Sequence, residues 1–353
     1  IIIGGSNSGV TLAHCLHYAN IPHIDLEKTS DPAPQVGAPI GIMPDRARIL
    51  DQLGRWKKIE YGLEPLARPI LIYPGAFQVE SSYPKVMRKR FKYPIAFIDR
   101  QRVLQVLYEG YPRPERIRFR KKERPIESSD DGATVTTADG KIHKRHIFVG
   151  TDGVHSGVKT EIWKVGDRLQ PGRITAQERT ALTTQYICIS GILSPIERMP
   201  PEGQIHRGRL YWFLTQMLDK RYTWPDRPRF ADDGMAAAAA KLDGFRVYNY
   251  ITFEGANMVI EDAATLRNLL TRLLRDGKTL PTSQQIDNLS NHDQSILVVR
   301  VCTLNGLRRT LMMRYVIPHA VCLPVHMIPN SWQMQNSANY PSTKRDRASM
   351  GGV

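Results

Sequence analysis

Apolar residues along the chain follow two spacings, and the changes between them predict alternating strands and helices. The β-branched run Ile1–Ile3 leads into a glycine-rich turn, and apolar residues then recur at helical spacing between Val10 and Ala19. A second apolar run, from Ile21 to Leu26, has the acidic residue Glu27 at its end, 23 positions after Gly4. This order of strand, turn, helix, strand and carboxylate is typical of a dinucleotide-binding unit.

Helical spacing returns in three later segments. Two shorter helices are expected to be capped by Asp45 and Asp99 and to end at Gly54 and Gly110, because an acidic N-cap and a C-terminal glycine are start and stop signals. A longer helix is expected over 257–274, where apolar residues recur for several turns.

Strand patterns fill much of the remaining chain. Residues 134–149 alternate, turn at Asp139–Gly140 and finish in an apolar strand, which predicts a hairpin that leads into a buried strand. Short β-like runs recur over 186–192 and 210–214, and residues 65–94, rich in proline and aromatics, favour strands and loops over helices. The pattern as a whole predicts an α/β protein with a β-rich second lobe.

Composition narrows the class of protein. A chain of 353 residues is long enough for about two domains, and 41% hydrophobic with 24% charged residues excludes a disordered, collagen-like or multi-span membrane chain. The net charge of +15 calls for an anionic partner, such as a phosphorylated ligand, a membrane surface or nucleic acid. The four cysteines form no CxxC pair, which indicates a reducing compartment. The start at Ile1, without a methionine, indicates a truncated N-terminus.

The first glycine-rich turn is the candidate for chemistry. Gly4, Gly5 and Gly9 would let a pyrophosphate approach the backbone, and the following helix would point free N–H groups at the anion. Ser6 stands where the G-x-G-x-x-G motif has its second glycine, so a nucleotide site and an ordinary strand-to-helix turn both remain open. Glu27 favours the nucleotide site, because a carboxylate there can accept hydrogen bonds from ribose hydroxyls.

Several segments together carry a family resemblance. They are IIIGGSNSGVTLAHCL (Ile1–Leu16), DLEK (Asp25–Lys28), QVGAPIGIMPDRARILDQLG (Gln35–Gly54), YPIAFIDRQRVLQVLYE (Tyr93–Glu109), VGTDGVHSGVK (Val149–Lys159), GANMVIEDAATLRNLL (Gly255–Leu270) and RYVIPHAVCLP (Arg314–Pro324). In order and spacing they resemble successive blocks of the fungal FAD-dependent monooxygenases of the paxilline-type group, relatives of the aromatic hydroxylases. The resemblance covers most of the chain.

The resemblance implies specific roles. Glu27 would hold the FAD ribose, Gly41 and Arg100 would line the flavin site, and Asp152–Gly153 would lie against the cofactor pyrophosphate and the approach of NAD(P)H. Ala256 would lie at a helix N-terminus near the flavin ring, where negative charge develops on reduction. Tyr211 matches a tyrosine proposed as acid or base in this group, although a buried tyrosine on a strand fits that position as well.

The chain also departs from the family pattern. In the family a Gly-Asp motif, followed by a proline-containing segment, precedes the GANM block, and both are absent here. Several dozen residues are therefore expected to be deleted between Tyr248 and Gly255. Gly157 replaces an arginine, and Ser8 stands where alanine is usual. An inactive remnant of the flavoprotein fold is therefore an alternative to an active enzyme.

Two other types of site have weaker support in the sequence. His14 and His17 lie three positions apart without a third ligand, so no metal is expected. The basic clusters at 85–92 and 113–124 would suit a nucleic-acid-binding protein, but they lack a recognisable binding motif, and a solvated basic face is favoured.

The resulting prediction has a Rossmann-like FAD-binding domain of the aromatic-hydroxylase type, from 1–59, 98–164 and 255–310. A β-rich substrate lobe would comprise 60–97 and 165–250, and a C-terminal tail 311–353. The expected activity is monooxygenation of a small apolar, prenylated or terpenoid substrate with NAD(P)H and O2, in the cytoplasm. A peripheral membrane contact is expected through the C-terminal region.

Overall fold

The elements of the fold come from a computed structural model that describes residues 1–35, 39–66, 70–72, 78–129, 132–145, 147–153, 156–169, 171–172, 175–180, 183–193, 210–223, 226, 254–275 and 300–303. Its helices are α1 (Asn7–Tyr18), α2 (Pro44–Gln52), α3 (Trp56–Glu60), α4 (Tyr83–Phe91), α5 (Arg100–Glu109), α6 (Gly157–Leu169), α7 (Ala176–Arg179) and α8 (Glu254–Arg275). Its strands are β1 (Ile2–Ile3), β2 (Asp25–Leu26), β3 (Ile40–Ile42), β4 (Glu64–Pro65), β5 (Ile70–Ile72), β6 (Gln78–Glu80), β7 (Ala96–Ile98), β8 (Ile117–Arg118), β9 (Glu123–Ser129), β10 (Gly132–Thr137), β11 (Ile142–Arg145), β12 (Ile147–Gly150), β13 (Thr183–Leu193), β14 (Leu210–Thr223) and β15 (Arg300–Thr303).

A five-stranded sheet with the order β15-β12-β1-β2-β8 lies at the centre. Strands β12, β1, β2 and β8 are parallel neighbours, and β15 pairs antiparallel at the edge. Because β1 is flanked on both sides, Ile2 and Ile3 are buried and point to opposite faces of the sheet. The parallel core with helical connections confirms the α/β class.

Two hydrophobic clusters cover the two faces of this sheet. Ile2 belongs to the larger cluster, which packs α1, α2, α5 and α8 together. Ile3 belongs to the smaller one, with Phe148 of β12, Val135 of the β9-β10-β11 sheet and Val158 of α6. The central sheet therefore lies between a helical layer and a layer formed by a small antiparallel sheet and one helix.

The predicted hairpin is confirmed, and the later β-like runs are strands. Strands β10 and β11 pair antiparallel, with Thr136 opposite Ile142, around a turn in which Gly140 has a φ of +80°. The apolar strand that follows is β12, in the central sheet. Farther along, β13 and β14 form a long antiparallel pair. Shorter antiparallel sheets join β3, β7 and β4, and β5 with β6.

The helix predictions are confirmed in part. Asp99 occupies the N-cap position of α5, although its side chain makes no capping hydrogen bond there, and the helix expected over 257–274 is present as α8. Asp45 is not a cap: Met43 holds that position, Pro44 opens α2, and Asp45 lies within the first turn.

Residues 65–94 do not consist of strands and loops alone, since α4 lies among them. Ser82 is its N-cap and a proline follows at its start, while three cations stand in its last turn, where the negative end of the helix dipole favours them. The basic residues 85–90, expected in loops and strands, are therefore helical. No helix in the described part of the chain is long and apolar enough to cross a membrane.

Candidate functional site

The turn between β1 and α1 lies at the carboxyl edge of the parallel strands, where α/β sheets bind ligands. Two of its glycines are required by packing. Gly4 has a φ of +109°, and a Cβ atom there would lie 2.7 Å from the Thr151 carbonyl oxygen. A Cβ atom on Gly9 would overlap the Gly4 carbonyl oxygen. The turn is therefore held tightly against both the first turn of α1 and the end of β12.

Glu27 follows β2 and fixes its carboxylate beside the turn. One carboxylate oxygen accepts a hydrogen bond from the Gly5 N–H at 2.6 Å, and the other accepts one from the Thr29 N–H at 2.8 Å. Each oxygen keeps a further lone pair. The carboxylate is thus oriented by backbone amides and can still accept hydrogen bonds from a ligand's hydroxyl groups.

We call the first turn of α1 the open start, because its backbone amides have no acceptor within the described residues. Ser6 is its N-cap, but the Ser6 side chain makes no capping bond, and its Oγ instead accepts a hydrogen bond from Nη2 of Arg100 at 2.7 Å. Within the described residues no group accepts from the amides of Asn7, Ser8 or Gly9. Unfilled amides at a helix start, with a guanidinium beside them, form an anion-binding site.

The charge on Arg100 is set by two opposing effects. Burial of the side chain lowers the pKa of the Arg100 guanidinium, while the nearby Glu27 carboxylate acts to raise it. The arginine side chain is effectively always protonated in proteins. Arg100 therefore presents a half-buried positive charge next to the turn.

The start of α6, which follows β12, has its amides satisfied by side chains of the chain itself. The Asp152 carboxylate accepts hydrogen bonds from the amides of Gly157 at 2.6 Å and Val158 at 3.3 Å. Oγ of Ser156 accepts one from the Lys159 amide at 2.9 Å. These three amides are the first of the helix, so its donors are satisfied by its own side chains.

The sequence predicts Asp152 and Gly153 at the cofactor pyrophosphate. Their backbone does lie at the turn, since a Cβ on Gly4 would be 2.9 Å from the Asp152 Cα. One oxygen of the Asp152 carboxylate, however, caps α6. Its role toward the cofactor stays a prediction. The sequence did not indicate Ser156 or Thr151; the Thr151 hydroxyl lies 2.9 Å from the Ile3 carbonyl and 2.7 Å from that of Gly4.

Asp25 is a buried acid beneath the open start of α1. It is fully buried in β2, and neither carboxylate oxygen has a hydrogen-bond partner within the described residues. A Cβ on Gly9 would lie 3.1 Å from one of these oxygens. Burial, and secondarily the Glu27 charge, raises the pKa of Asp25 well above its usual value. The sequence signal for this residue is an acidic side chain inside a predicted apolar strand.

The structure places three further predicted residues on other elements. Gly41 is buried in β3 opposite Phe97, and Ala256 lies in the first turn of α8, which packs against both β3 and α1. Tyr211 lies in β14, paired with Ile192. The described residues do not include the Tyr211 side chain or the tail 311–353. They also do not include Tyr248, where the expected deletion begins.

The histidines near α1 serve packing. Nε2 of His14 lies 2.7 Å from the Leu107 carbonyl oxygen, and the His14 ring meets that of Tyr111 edge on, with centroids 5.1 Å apart. Burial lowers the pKa of His14 to about 4, so the ring is neutral. The described part of the chain holds no group of three or more His, Cys, Asp or Glu side chains placed to bind a metal ion.

Comparison with known proteins gives matches over almost the whole chain, although no family model matches it. The FAD-dependent monooxygenase ptmM of Penicillium ochrochloron is 39% identical over 93% of this chain and 94% of its own length. The FAD-dependent monooxygenases penM of Penicillium crustosum and paxM of Penicillium paxilli are 38% and 37% identical, each over 93% of this chain and 83% of its own length.

Solved structures agree at the level of the fold. Klebsiella pneumoniae HpxO carrying R204Q, in complex with FAD, has a TM-score of 0.58 at 18% identity, over 84% of this chain and 85% of its own. P. aeruginosa PqsL, in complex with 2-aminobenzoylacetate, has a TM-score of 0.58 at 15% identity, over 84% of this chain and 92% of its own. The central sheet and its connections therefore follow a known architecture.

Proposed function

Because the chain belongs to the fungal FAD-dependent monooxygenases, we propose that it uses NAD(P)H and O2 to place one oxygen atom on a small apolar substrate. A prenylated or terpenoid secondary metabolite, epoxidised or hydroxylated, is the substrate class that the family resemblance suggests. Family membership makes the chain an oxidoreductase with FAD as its cofactor; the nicotinamide, the substrate and a cytoplasmic location belong to the proposal.

The open start of α1 is the observation that carries the proposal. The amides of Asn7, Ser8 and Gly9 and the Arg100 guanidinium would bind the FAD pyrophosphate, and Glu27 would bind the ribose hydroxyls. A cofactor phosphate at this place would satisfy donors that the described residues leave unfilled. The chain therefore fits the cofactor that its family uses.

Bound FAD would supply the redox chemistry, accepting a hydride from NAD(P)H and, once reduced, activating O2. The chain's own residues would hold and shield it. We assign the first turn of α8, with Ala256, to the stabilisation of negative charge on the reduced ring, and Gly41 of β3 to close packing against the ring. Tyr211 of β14 is proposed as the acid or base that moves a proton at its phenolic oxygen.

A second candidate, an inactive member that keeps the fold, has an observation of its own. The alignment with ptmM runs over 397 positions, more than the 353 residues of this chain, so the relative contains residues with no counterpart here. That difference agrees with the deletion expected before Gly255. Loss of the Gly-Asp motif would weaken binding at the ribityl chain.

The visible spectrum of the purified protein separates the two candidates. An active enzyme is expected to carry flavin at one equivalent, to bleach with NADH or NADPH without oxygen, and to incorporate label from ¹⁸O2 into a prenylated test substrate. The Glu27→Gln variant should lose flavin, whereas Glu115→Gln, an exposed acid far along the chain, should keep it. A colourless protein that FAD does not reconstitute would rule out the oxygenase and favour the inactive member.

A further inference from the structure

Helix α4 carries a surface that the cofactor site does not use. We infer that this helix docks on an anionic lipid bilayer, with its exposed apolar side chains in the headgroup layer and its cations on lipid phosphates. We call this the α4 surface and define it by the exposed residues Tyr83, Val86 and Phe91 together with Lys85, Arg88, Lys89, Arg90 and Lys92.

Exposure of apolar side chains sets α4 apart from the other helices. Seven large apolar side chains are exposed in the described part of the chain, and α4 contributes three of them, Tyr83 (52%), Val86 (54%) and Phe91 (46%). Helix α5, of similar length, buries four apolar residues in the core, whereas α4 buries only Pro84. The core therefore does not account for the apolar residues of α4.

Charge on the α4 surface has one sign. The five basic side chains from Lys85 to Lys92 are exposed, and the segment from Ser81 to Tyr93 contains no acidic residue. Among the described residues no carboxylate forms an ion pair with any of them. A run of cations without internal partners is complementary to a negative surface.

The arrangement of the two residue types favours lipid over other anions. Tyr83 lies one turn before Val86, and Lys89 and Arg90 lie one turn after it, so the aliphatic side chain is enclosed by an aromatic ring and cations. The Arg90 guanidinium lies 5.6 Å from the centre of the Phe91 ring. Exposed cations interleaved with exposed apolar side chains suit the interface of a membrane, where the cations can meet lipid phosphates and the apolar side chains the acyl boundary.

Other polyanions suit this surface less well. Nucleic acid offers phosphates but no apolar phase for Val86. A stable protein interface needs roughly 800 Å² on each partner with an apolar core, which is large for a nine-residue helix. Helix α3, which like α4 packs against α2, carries the exposed cations Lys57 and Lys58, and the 79% exposed Tyr61 follows it.

This inference goes beyond the proposed oxygenase activity and does not depend on it. It also differs from the contact predicted for the C-terminal tail, because α4 lies between β6 and β7. An apolar substrate partitions into the bilayer, so an enzyme docked there would meet it at a raised local concentration. Part of the positive charge that one small cofactor cannot balance would then have a partner.

Vesicle sedimentation tests the inference with the whole 353-residue chain. Wild type is expected to bind vesicles with about one third phosphatidylserine, to release them in high salt and to ignore pure phosphatidylcholine. Lys85→Glu with Lys89→Glu should weaken partitioning by about tenfold or more. The matched pair Lys141→Glu with Lys144→Glu, exposed cations on the β10-β11 hairpin beside exposed Ile142, should change it by less than roughly twofold.

A second pair tests insertion without changing charge. Val86→Ser with Phe91→Ser should lower partitioning several-fold, while flavin content and thermal unfolding stay at wild-type values, which shows that the fold and the cofactor site are intact. Equal loss from the hairpin pair, unchanged binding by the α4 pair, or retention on duplex DNA without vesicle binding would overturn the inference. A wild-type protein that binds vesicles but carries no flavin would contradict only the proposed enzyme and would leave this inference standing.

Discussion

Two helices start at neighbouring strands of the central sheet, and their first turns differ. Helix α1 follows β1 and α6 follows β12, and each has a serine as its N-cap, Ser6 and Ser156. In α6 the serine and Asp152 together accept from the first three amides. In α1 the serine turns to Arg100, and none of the described groups accepts from the first three amides.

The same N-cap residue therefore has different partners at the two starts: Ser156 accepts from an amide of its own helix, whereas Ser6 accepts from the Arg100 guanidinium. At a filled start, side chains of the same chain accept hydrogen bonds from the first amides of the helix. These bonds add to the free energy of unfolding. An open start keeps that potential for an anion. The following substitutions test the two starts and the strand beneath the open one, each with a control where the chain offers one, and they are ordered by the size of the expected effect.

Gly9→Ala should abolish the open start. The added Cβ would overlap the Gly4 carbonyl oxygen, which is backbone and cannot move without opening the turn. We expect FAD affinity to fall by about a hundredfold or more, since misplacing several charge-assisted contacts costs at least about 3 kcal/mol. Titration of apoprotein with FAD, followed by flavin fluorescence, measures the change.

Gly62→Ala is the matched control. Its nearest contact would be the Ile59 carbonyl oxygen at 3.5 Å, an ordinary van der Waals distance. Flavin affinity should stay within roughly twofold of wild type, since the substitution touches neither helix start. Equal affinities in the two variants would show that the turn does not hold the cofactor.

The sequence predicted the open start better than the filled one. Gly4, Gly9 and Glu27 stand in a local pattern whose spacing reflects a backbone approach to a ligand, so the turn could be identified from neighbours in the chain. The Ser6 to Arg100 bond joins residues 94 positions apart, and only the packing of α1 against α5 creates it. Helix α6 was not predicted, so the capping by Asp152 and Ser156 could not be.

Two helix predictions were wrong, and for different reasons. Pro44 opens α2, and a cap signal at Asp45 competed with it one residue later. In α4 the apolar residues stay exposed, so the core periodicity on which helix prediction depends is weak there. Competition between two neighbouring start signals caused the first error, and the exposure of the α4 side chains, which the chain pattern does not show, caused the second.

Asp25→Val should stabilise the strand under the open start. The folded protein keeps the Asp25 proton at pH values where the unfolded chain, whose aspartate has its ordinary pKa of 3.8, has released it. The free energy of unfolding therefore falls as the pH rises above about 4, until the folded pKa is passed. Removing the buried, unpartnered carboxyl should raise stability at neutral pH by about 1 to 3 kcal/mol.

Urea unfolding from about pH 5 to about pH 8 measures this effect. Wild type should lose stability across the range at this site, and the valine variant should lose less. Asp31→Val, at an exposed position in the loop after β2, serves as the comparison. A variant that is less stable than wild type at every pH would show that the Asp25 carboxyl has a partner in solution.

Ser156→Ala and Asp152→Ala test the filled start. Each removes an acceptor from amides of α6, so each should lower the free energy of unfolding by about 1 kcal/mol. Ser156→Ala should leave FAD affinity unchanged. If Asp152→Ala weakens FAD binding more than it lowers stability, Asp152 also serves the cofactor, as the family resemblance implies; an effect on stability alone limits it to capping.

Ser6→Ala completes the comparison with the smallest and most selective change. The Ser6 hydroxyl caps nothing in α1, so thermal unfolding should match wild type, unlike that of Ser156→Ala. Arg100 would lose the hydrogen bond that orients it, and FAD affinity should fall about three- to tenfold, the size of one hydrogen bond. Riboflavin, which lacks the pyrophosphate, should bind both proteins equally. A Ser6→Ala protein that loses stability but keeps its FAD affinity would place Ser6 with Ser156 as a cap, and the contrast between the two helix starts would fail.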